Sequence, residues 1–358
     1  MPRRSHSPVL VAAPFPPPVH GFAVIMSAMA DAIEKQVPVE RVNLAAERRS
    51  SIGTHLAQMA RCLAGCYAIL RHRLKGGEIA AIGVNGGMGQ VYTLALSLIA
   101  RLCGLKITLH HHSYRYINHH SRLMELLLRA AGDQAIHVFL SEVMARDFEA
   151  RYARSVRQDT LNNAMFVPPN KLPRLPRSRP VAGLISNLSS EKGLHDFLKL
   201  ASKARSEGIA MDFVLAGPVK LESDRALIEA ATAAGDVTWL GPLYGDAKNA
   251  FFVGIDVLVF PTQYEFEAQP TIIYEAFAAG TPVISIDRGT IRDQVRDCLI
   301  AVDRKADFVT VATPLLRSFA NADANERRRL SEHARNIHSE DAERGKLAVA
   351  RLFTDVSR

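Results

Sequence analysis

The run Val257-Leu-Val-Phe260, Pro261-Thr-Gln-Tyr-Glu-Phe-Glu267-Ala-Gln-Pro270, Thr271-Ile-Ile-Tyr-Glu275-Ala-Phe-Ala-Ala279, Gly280-Thr-Pro-Val-Ile-Ser-Ile286 reads as strand, loop, helix and strand. Its two ends are short apolar runs, long enough for strands and too short for helices. Pro270 suits the first helical position, and Gly280 followed by Pro282 makes the usual stop, so a helix is predicted over Thr271–Ala279. That helix is apolar almost all round and should be buried. Parallel strands need such a crossover.

The same theme recurs outward in both directions. Val9–Ala13, Ile79–Val84, Lys106–Leu109 and Ile136–Leu140 read as strands, each followed by a helical pattern; one helix is expected from Phe22 to Lys35 and another from Val91 to Leu102. Past residue 180 come Val181–Ile185, Asp212–Ala216, Val237–Leu240, Val257–Phe260 and Pro282–Ile286. Between the two sets, Pro168, Pro169, Pro173, Pro176 and Pro180 are interleaved with Lys171, Arg174, Arg177 and Arg179, a composition that continues neither helix nor strand. The expected fold class is α/β, with two Rossmann-like doubly wound domains and ligands outside the carboxyl ends of the strands. The expected boundaries are an N-terminal domain over 1–170, a Pro-rich linker over 171–180 and a C-terminal domain over 181–335. The charged tail, 336–358, is expected to pack as helix on the first domain.

Composition narrows the class. The chain has 358 residues, 48% of them hydrophobic and 22% charged, which suits two ordinary globular domains. Cys62, Cys66, Cys103 and Cys298 form neither a disulfide framework nor a zinc clip, which suits a reducing cytosol. The N-terminal MPRRSHSPVLVAAPFPPP has a short apolar run ending in prolines and reads as strand and loop rather than a signal peptide. Arg101 and Lys106 interrupt the longest apolar region, so no bilayer-spanning segment is expected. The net charge of +8 is uneven: residues 1–175 carry 21 Lys or Arg against 11 Asp or Glu, the remainder 23 against 25. The first half therefore suits an anionic surface or substrate, or carries ordinary surface charge with no partner. The expected location is cytoplasmic, with a peripheral position at the inner face of a membrane open to it.

Glu275 is the only charged residue between Glu267 and Asp287. An unpaired buried carboxylate costs several kcal/mol, so it needs a partner. The N-terminus of its helix suits phosphate, and Glu275 lies about 7–8 Å beyond it, roughly the span from a diphosphate to its ribose. A ribose diol would serve; so would an ion pair with Arg288 or Arg292. Lys192-Gly193, after the strand ending at Ile185, could bring a cation to the same diphosphate, or Lys192 could simply be solvated. His110-His111-His112 ends a first-domain strand, with His110 and His112 on one face. Metal ligand, hydrogen-bonding cleft residue and inert strand end all remain open. Asn85-Gly-Gly-Met-Gly89 lacks the lysine of a P-loop, and neither a nucleophile elbow nor a catalytic cysteine is present.

These residues resemble the family-4 (group 1) retaining glycosyltransferases of the GT-B fold. Glu267 to Glu275 is similar to that family's Glu-x7-Glu signature, with support from Ser186-Asn-Leu, Glu191-Lys-Gly193, Val237-Thr-Trp-Leu-Gly241 and Asp256-Val-Leu-Val-Phe-Pro261. The resemblance implies two domains facing each other across a cleft and transfer of a sugar from a nucleoside-diphosphate sugar. The implied acceptor is a glycan or glycolipid, polyprenyl-linked or polysaccharide, in bacterial surface glycan synthesis. It implies no cofactor besides that donor substrate, no metal and no nucleic-acid partner. Glu267, Lys192 and His110 or His112 take catalytic positions, while Glu275, Gly21, Asn187, Gly193, Gln269, Pro270, Thr271 and Leu243 hold the donor. Gly21 is expected in the loop after the first strand. Many relatives carry arginine where Asn187 stands, so Arg288 or another group would supply the second cation, or leaving-group stabilisation would be weaker. Relatives often carry glycine where Ala268 stands, and the alanine narrows the room for backbone approach. The competing expectations are a nucleotide-sugar epimerase or hydrolase of the same fold, and a non-catalytic nucleotide-sugar-binding subunit. A secreted two-domain solute-binding protein is disfavoured.

Overall fold

A computed structural model describes residues 7–45, 51–174, 177–298 and 301–354. The chain divides into two compact units, Met1–Phe166 with Ala342–Arg358, and Val167–Asp341.

Unit 1 is built on a parallel sheet of β1 (Val9–Ala13), β2 (Val39–Asn43), β3 (Ile79–Val84), β4 (Lys106–His111), β5 (Ile136–Phe139) and β6 (Arg157–Thr160), in the order β2-β1-β3-β4-β5-β6. β1 and β3 are buried along their whole length, as strands covered on both faces must be. The helices are α1 (Gly21–Glu34), α2 (Ser51–Leu74), α3 (Gln90–Leu102), α4 (Arg115–Asn118), α5 (Arg122–Ala131) and α6 (Glu142–Tyr152). α1 buries Met26, Met29, Ala30 and Ile33 against Val9, Val11, Ala13, Ile79 and Ala81. The polar strands β2 (Val-Glu-Arg-Val-Asn) and β6 (Arg-Gln-Asp-Thr) are the sheet edges, where one side of each strand meets no further partner.

Unit 2 carries β7 (Val181–Ile185), β8 (Asp212–Ala216), β9 (Thr238–Trp239), β10 (Val257–Phe260), β11 (Val283–Ile286) and β12 (Ala301–Val302), with α7 (Leu194–Ser206), α8 (Glu222–Ala233), α9 (Gly245–Gly254), α10 (Thr271–Ala278), α11 (Ile291–Val295) and α12 (Phe308–Asn321). Its parallel strands run β12-β11-β10-β7-β8-β9. Counted within the unit that is 3-2-1-4-5-6 read from β9, so the chain reverses direction across the sheet between β7 and β10. A crevice opens outside the carboxyl ends of two strands that diverge in this way.

The Pro-rich stretch counts with unit 2, and positions 175 and 176 of it, including Pro176, lie outside the described residues. Arg174 anchors it: the guanidinium donates to Thr281 Oγ1 at 2.8 Å and to the Ile255 carbonyl at 2.5 Å. The tail is one helix, α13 (Ala324–Phe353), whose terminal residues Ala348, Val349 and Phe353 enter the unit 1 core beside Val9 and Met29.

Candidate functional site

The turn after β7 is a short 3-10 helix, Ser190–Lys192, closed by Gly193 at φ +84°. A Cβ on Gly193 would lie 2.3 Å from the Pro261 carbonyl oxygen, so only glycine lets the head of α7 press against the end of β10. Gly193→Ala is therefore expected to destabilise unit 2 by at least about 2 kcal/mol, from backbone strain and this clash together. A urea midpoint matching the parent's would contradict the assignment.

This contact brings Lys192 beside the loop after β10. Lys192 Nζ lies 2.6 Å from Glu267 Oε2, the two side chains being 28% and 13% exposed. The ammonium also sits 4.7 Å from the Tyr264 ring centroid, and Thr262 Oγ1 lies 3.4 Å from the same carboxylate oxygen. The Glu267–Pro270 loop is held from behind. Thr290 donates to the Ala268 carbonyl from its N–H at 2.8 Å and its hydroxyl at 2.9 Å, and Gln294 Nε2 donates to the Pro270 carbonyl at 3.0 Å. Gly289, at φ +55°, passes so close that a Cβ would fall 2.1 Å from the Glu267 carbonyl oxygen.

α10 starts at Thr271 with Pro270 as its cap residue, one place earlier than the first-helical position expected, because Pro270 adopts the extended ψ of 124°. No side chain caps this end, so its first-turn N–H groups and positive dipole end are not neutralised by a capping carboxylate or hydroxyl. One turn on, Glu275 Oε1 accepts from Lys248 Nζ of α9 at 2.7 Å. The ammonium lies 2.7 Å from Oε2 as well, and Oε2 is buried. The expected arginine partners are engaged elsewhere: Arg288 donates to the Thr262 carbonyl and to Gln263 Oε1, and Arg292 pairs with Asp287 at 2.6 Å. Glu275 thus has an ion pair, with a residue that sequence reasoning missed. Lys248 stands in a helix with no phosphate-loop or signature pattern, and only the packing of α9 beside α10 reveals it.

Lys192, Gly193, Glu267, Gln269, Pro270, Thr271 and Glu275 thus gather on the loops and helix that follow β7 and β10 in unit 2. Asn187 is exposed just past β7. Leu243 belongs elsewhere: it lines a cavity of about 730 Å³ with Phe213, Leu240 and Phe251, which none of Lys192, Glu267 and Glu275 touches.

The expected residues of unit 1 are described separately. Gly21 is not in a loop; it is the first residue of α1, capped by His20 Nδ1, which accepts from the Ala23 N–H at 3.3 Å. His110 is a core residue, 1% exposed, its Nε2 lying 3.2 Å from Thr108 Oγ1 and its ring stacked on Phe353. It therefore has no surface to offer a substrate. His111 is buried too, joined to Tyr116 Oη and His137 Nδ1 at 2.9 Å each. His112, just past β4, is the half-buried one, packed on Phe22. Desolvation pushes the imidazole of His110 down to about 3, with help from His112, and that of His112 to about 4. Among the described residues, no three His, Cys, Asp or Glu side chains are grouped as metal ligands.

Residues 171–336 match the family described as glycosyl transferases group 1. The 2-deoxystreptamine N-acetyl-D-glucosaminyltransferase of Streptomyces fradiae is 33% identical over 125 residues, 34% of this chain and 29% of that protein. The GDP-mannose-dependent alpha-mannosyltransferase of Mycolicibacterium smegmatis is 31% identical over 139 residues, 39% of this chain and 34% of that one. The matched segment thus spans about a third of the length of these relatives. Among solved structures, Anabaena HepE in complex with UDP-glucose superposes with a TM-score of 0.70 at 14% identity, over 98% of this chain and 100% of that one. WaaG, a glycosyltransferase involved in lipopolysaccharide biosynthesis, gives 0.65 at 14% identity over 97% and 99%. Residues 171–336 are thus similar to the glycosyl transferases group 1, and the fold is the GT-B fold of the HepE and WaaG structures.

Proposed function

We propose that the chain transfers a sugar from a nucleoside-diphosphate sugar, with retention at the anomeric carbon, to a glycolipid, polyprenyl-linked or polysaccharide acceptor in bacterial surface glycan synthesis. The observation that carries the reading is the Glu275 carboxylate, ion-paired to Lys248 one helical turn from an uncapped helix N-terminus. A ribose hydroxyl would donate to this carboxylate beside Lys248. A diphosphate would then meet the first-turn N–H groups of α10 and, nearby, Lys192. UDP-glucose in the HepE structure and the GDP-mannose dependence of the mycobacterial relative support this donor class. The acceptor class draws its support from the basic first half of the chain.

In this reading the bond from the anomeric carbon to the diphosphate breaks as the bond to the acceptor hydroxyl oxygen forms on the same face, and the hydroxyl proton passes to the departing phosphate oxygen. Charge builds on the departing diphosphate. A fixed ammonium and oriented backbone N–H groups stabilise that charge without having to reorganise. Lys192 is turned toward the site by Glu267, which gives up part of its hold when phosphate oxygens arrive. Of His110 and His112, His112 is the one with exposed surface.

Nucleoside diphosphates are expected to stabilise the protein by about 2.7 kcal/mol at a hundredfold excess over Kd, seen as a rise in Tm with one of UDP, GDP or ADP. Glu275→Ala should remove most of that rise. No rise with any of the three would refute the donor site. Release of free sugar without acceptor would point to the hydrolase, and binding without turnover to the non-catalytic subunit.

A further inference from the structure

Helix α2 exposes Leu56, Met59, Leu63, Tyr67, Leu70 and Leu74, the last 88% exposed. At roughly 100° per residue these six lie within an arc of about 80°. The opposite side is apolar as well: Cys62 and Ile69 are buried, and Gly65 packs against Leu96. A surface helix normally turns polar residues outward, and an apolar face this continuous marks a contact site. Its chemistry is one-sided. Ser51 to Lys75 contains no acidic residue, while Arg61, Arg71, Arg73 and Lys75 are all exposed. Arg71 and Arg73 stand about 80° to either side of the centre of the stripe. From 51 to 131 there are nine Lys or Arg against two Asp or Glu, so this segment holds most of the positive charge of the first half. Leu102 of the adjacent α3 adds a further exposed apolar side chain, 75% exposed.

We propose that this face of α2 docks on an anionic lipid surface. The helix lies in the plane of the interface, with the apolar stripe at the headgroup–acyl boundary and Arg71 and Arg73 at lipid phosphates. No helix among the described residues is long and apolar enough to cross a membrane, so the contact is peripheral. A second copy of the chain fits less well as occupant. Two α2 faces brought together would oppose cations, with no carboxylate on either helix to pair them. The inference stands on unit 1 alone and is independent of the transfer chemistry.

The test is co-sedimentation of the full chain with phosphatidylcholine vesicles, with and without phosphatidylglycerol, at low and high salt. Binding is expected only with phosphatidylglycerol and should weaken with salt. Arg71→Ser with Arg73→Ser should weaken it about thirtyfold, and Leu63→Ser, Tyr67→Ser and Leu70→Ser together by at least about a hundredfold. All five positions are exposed, so Tm and the nucleoside diphosphate response should stay at parental values. Absence of binding to anionic vesicles would overturn the proposal, as would stripe variants that bind like the parent. A parental dimer broken by the stripe substitutions would overturn it in favour of self-association.

Discussion

Replacing Lys192 by alanine is expected to lower kcat for sugar transfer by about a hundredfold to a thousandfold, the usual cost of removing one fixed positive group from a developing anion. Stability should change little. The Lys192–Glu267 pair is open to solvent at the lysine end, 28% exposed against 13% for the glutamate, so its loss should cost about 1 kcal/mol after screening. Glu267 keeps the nearby Thr262 hydroxyl, 3.4 Å away, and gains water. The double variant Lys192→Ala with Glu267→Gln removes both charges of the pair. It should recover stability but not activity, which separates electrostatic catalysis from structural support. Single-turnover kinetics at saturating donor would read the effect, and a kcat within about twofold of the parent would show that Lys192 does not face the leaving group.

Lowering the pH from 7 to 5 is expected to remove about 4 kcal/mol of stability from unit 1. Burial pushes His110 and His137 down to about 3, with His112 adding to the effect on His110 and Arg154 to that on His137. In the unfolded chain both return to the ordinary value of 6.5. The unfolded state therefore binds more protons below pH 6.5. Their contribution is fully present above that pH and drains away at about 1.4 kcal/mol per pH unit per histidine, until the folded-state values near 3 are reached. His111 is held down in the same way by burial and by its contact with His137. Against a total of about 5–15 kcal/mol for an ordinary domain, the loss is large. Hydrogen exchange at the two pH values should show α5, α6 and the strands of unit 1 opening first. The fluorescence of Trp239, the single tryptophan and a residue of unit 2, should lag behind. His137→Gln should flatten the pH slope by one proton's worth. Equal urea midpoints at pH 7 and pH 5 would contradict the prediction.

Legibility followed burial. β1, β3, β7 and β10 read with their true bounds because strands covered on both faces must be apolar throughout, and an apolar run bounded by turn residues is visible in one dimension. β2, β6 and β12 went unread. The first two are polar or half-exposed edges and the third is two residues long, so backbone pairing rather than side-chain burial makes them strands. Helix α2 carries Cys62 and Cys66 at helical spacing but offers no polar-outside pattern to mark it. Its outward apolar face breaks the polar-outside pattern, and nothing in the sequence says which apolar side is the inner one.

The amino-acid sequence by itself determined the two alternating α/β sets, the buried helix after Pro270 and the separate Glu267-x7-Glu275 and Lys192-Gly193 motifs. Each of these is a local pattern: periodicity, a start or stop residue, or a short motif. Partners and depth were decided only by the tertiary structure. Lys192 meets Glu267 across 75 residues and Lys248 meets Glu275 across 27, distances at which ion pairing has no periodic signature. His110 and His112 share a strand face by alternation, yet Phe353, at the far end of the chain, covers the first and leaves the second half-open. Strand periodicity tells which way a side chain points. What it points at depends on chain segments that only folding brings together.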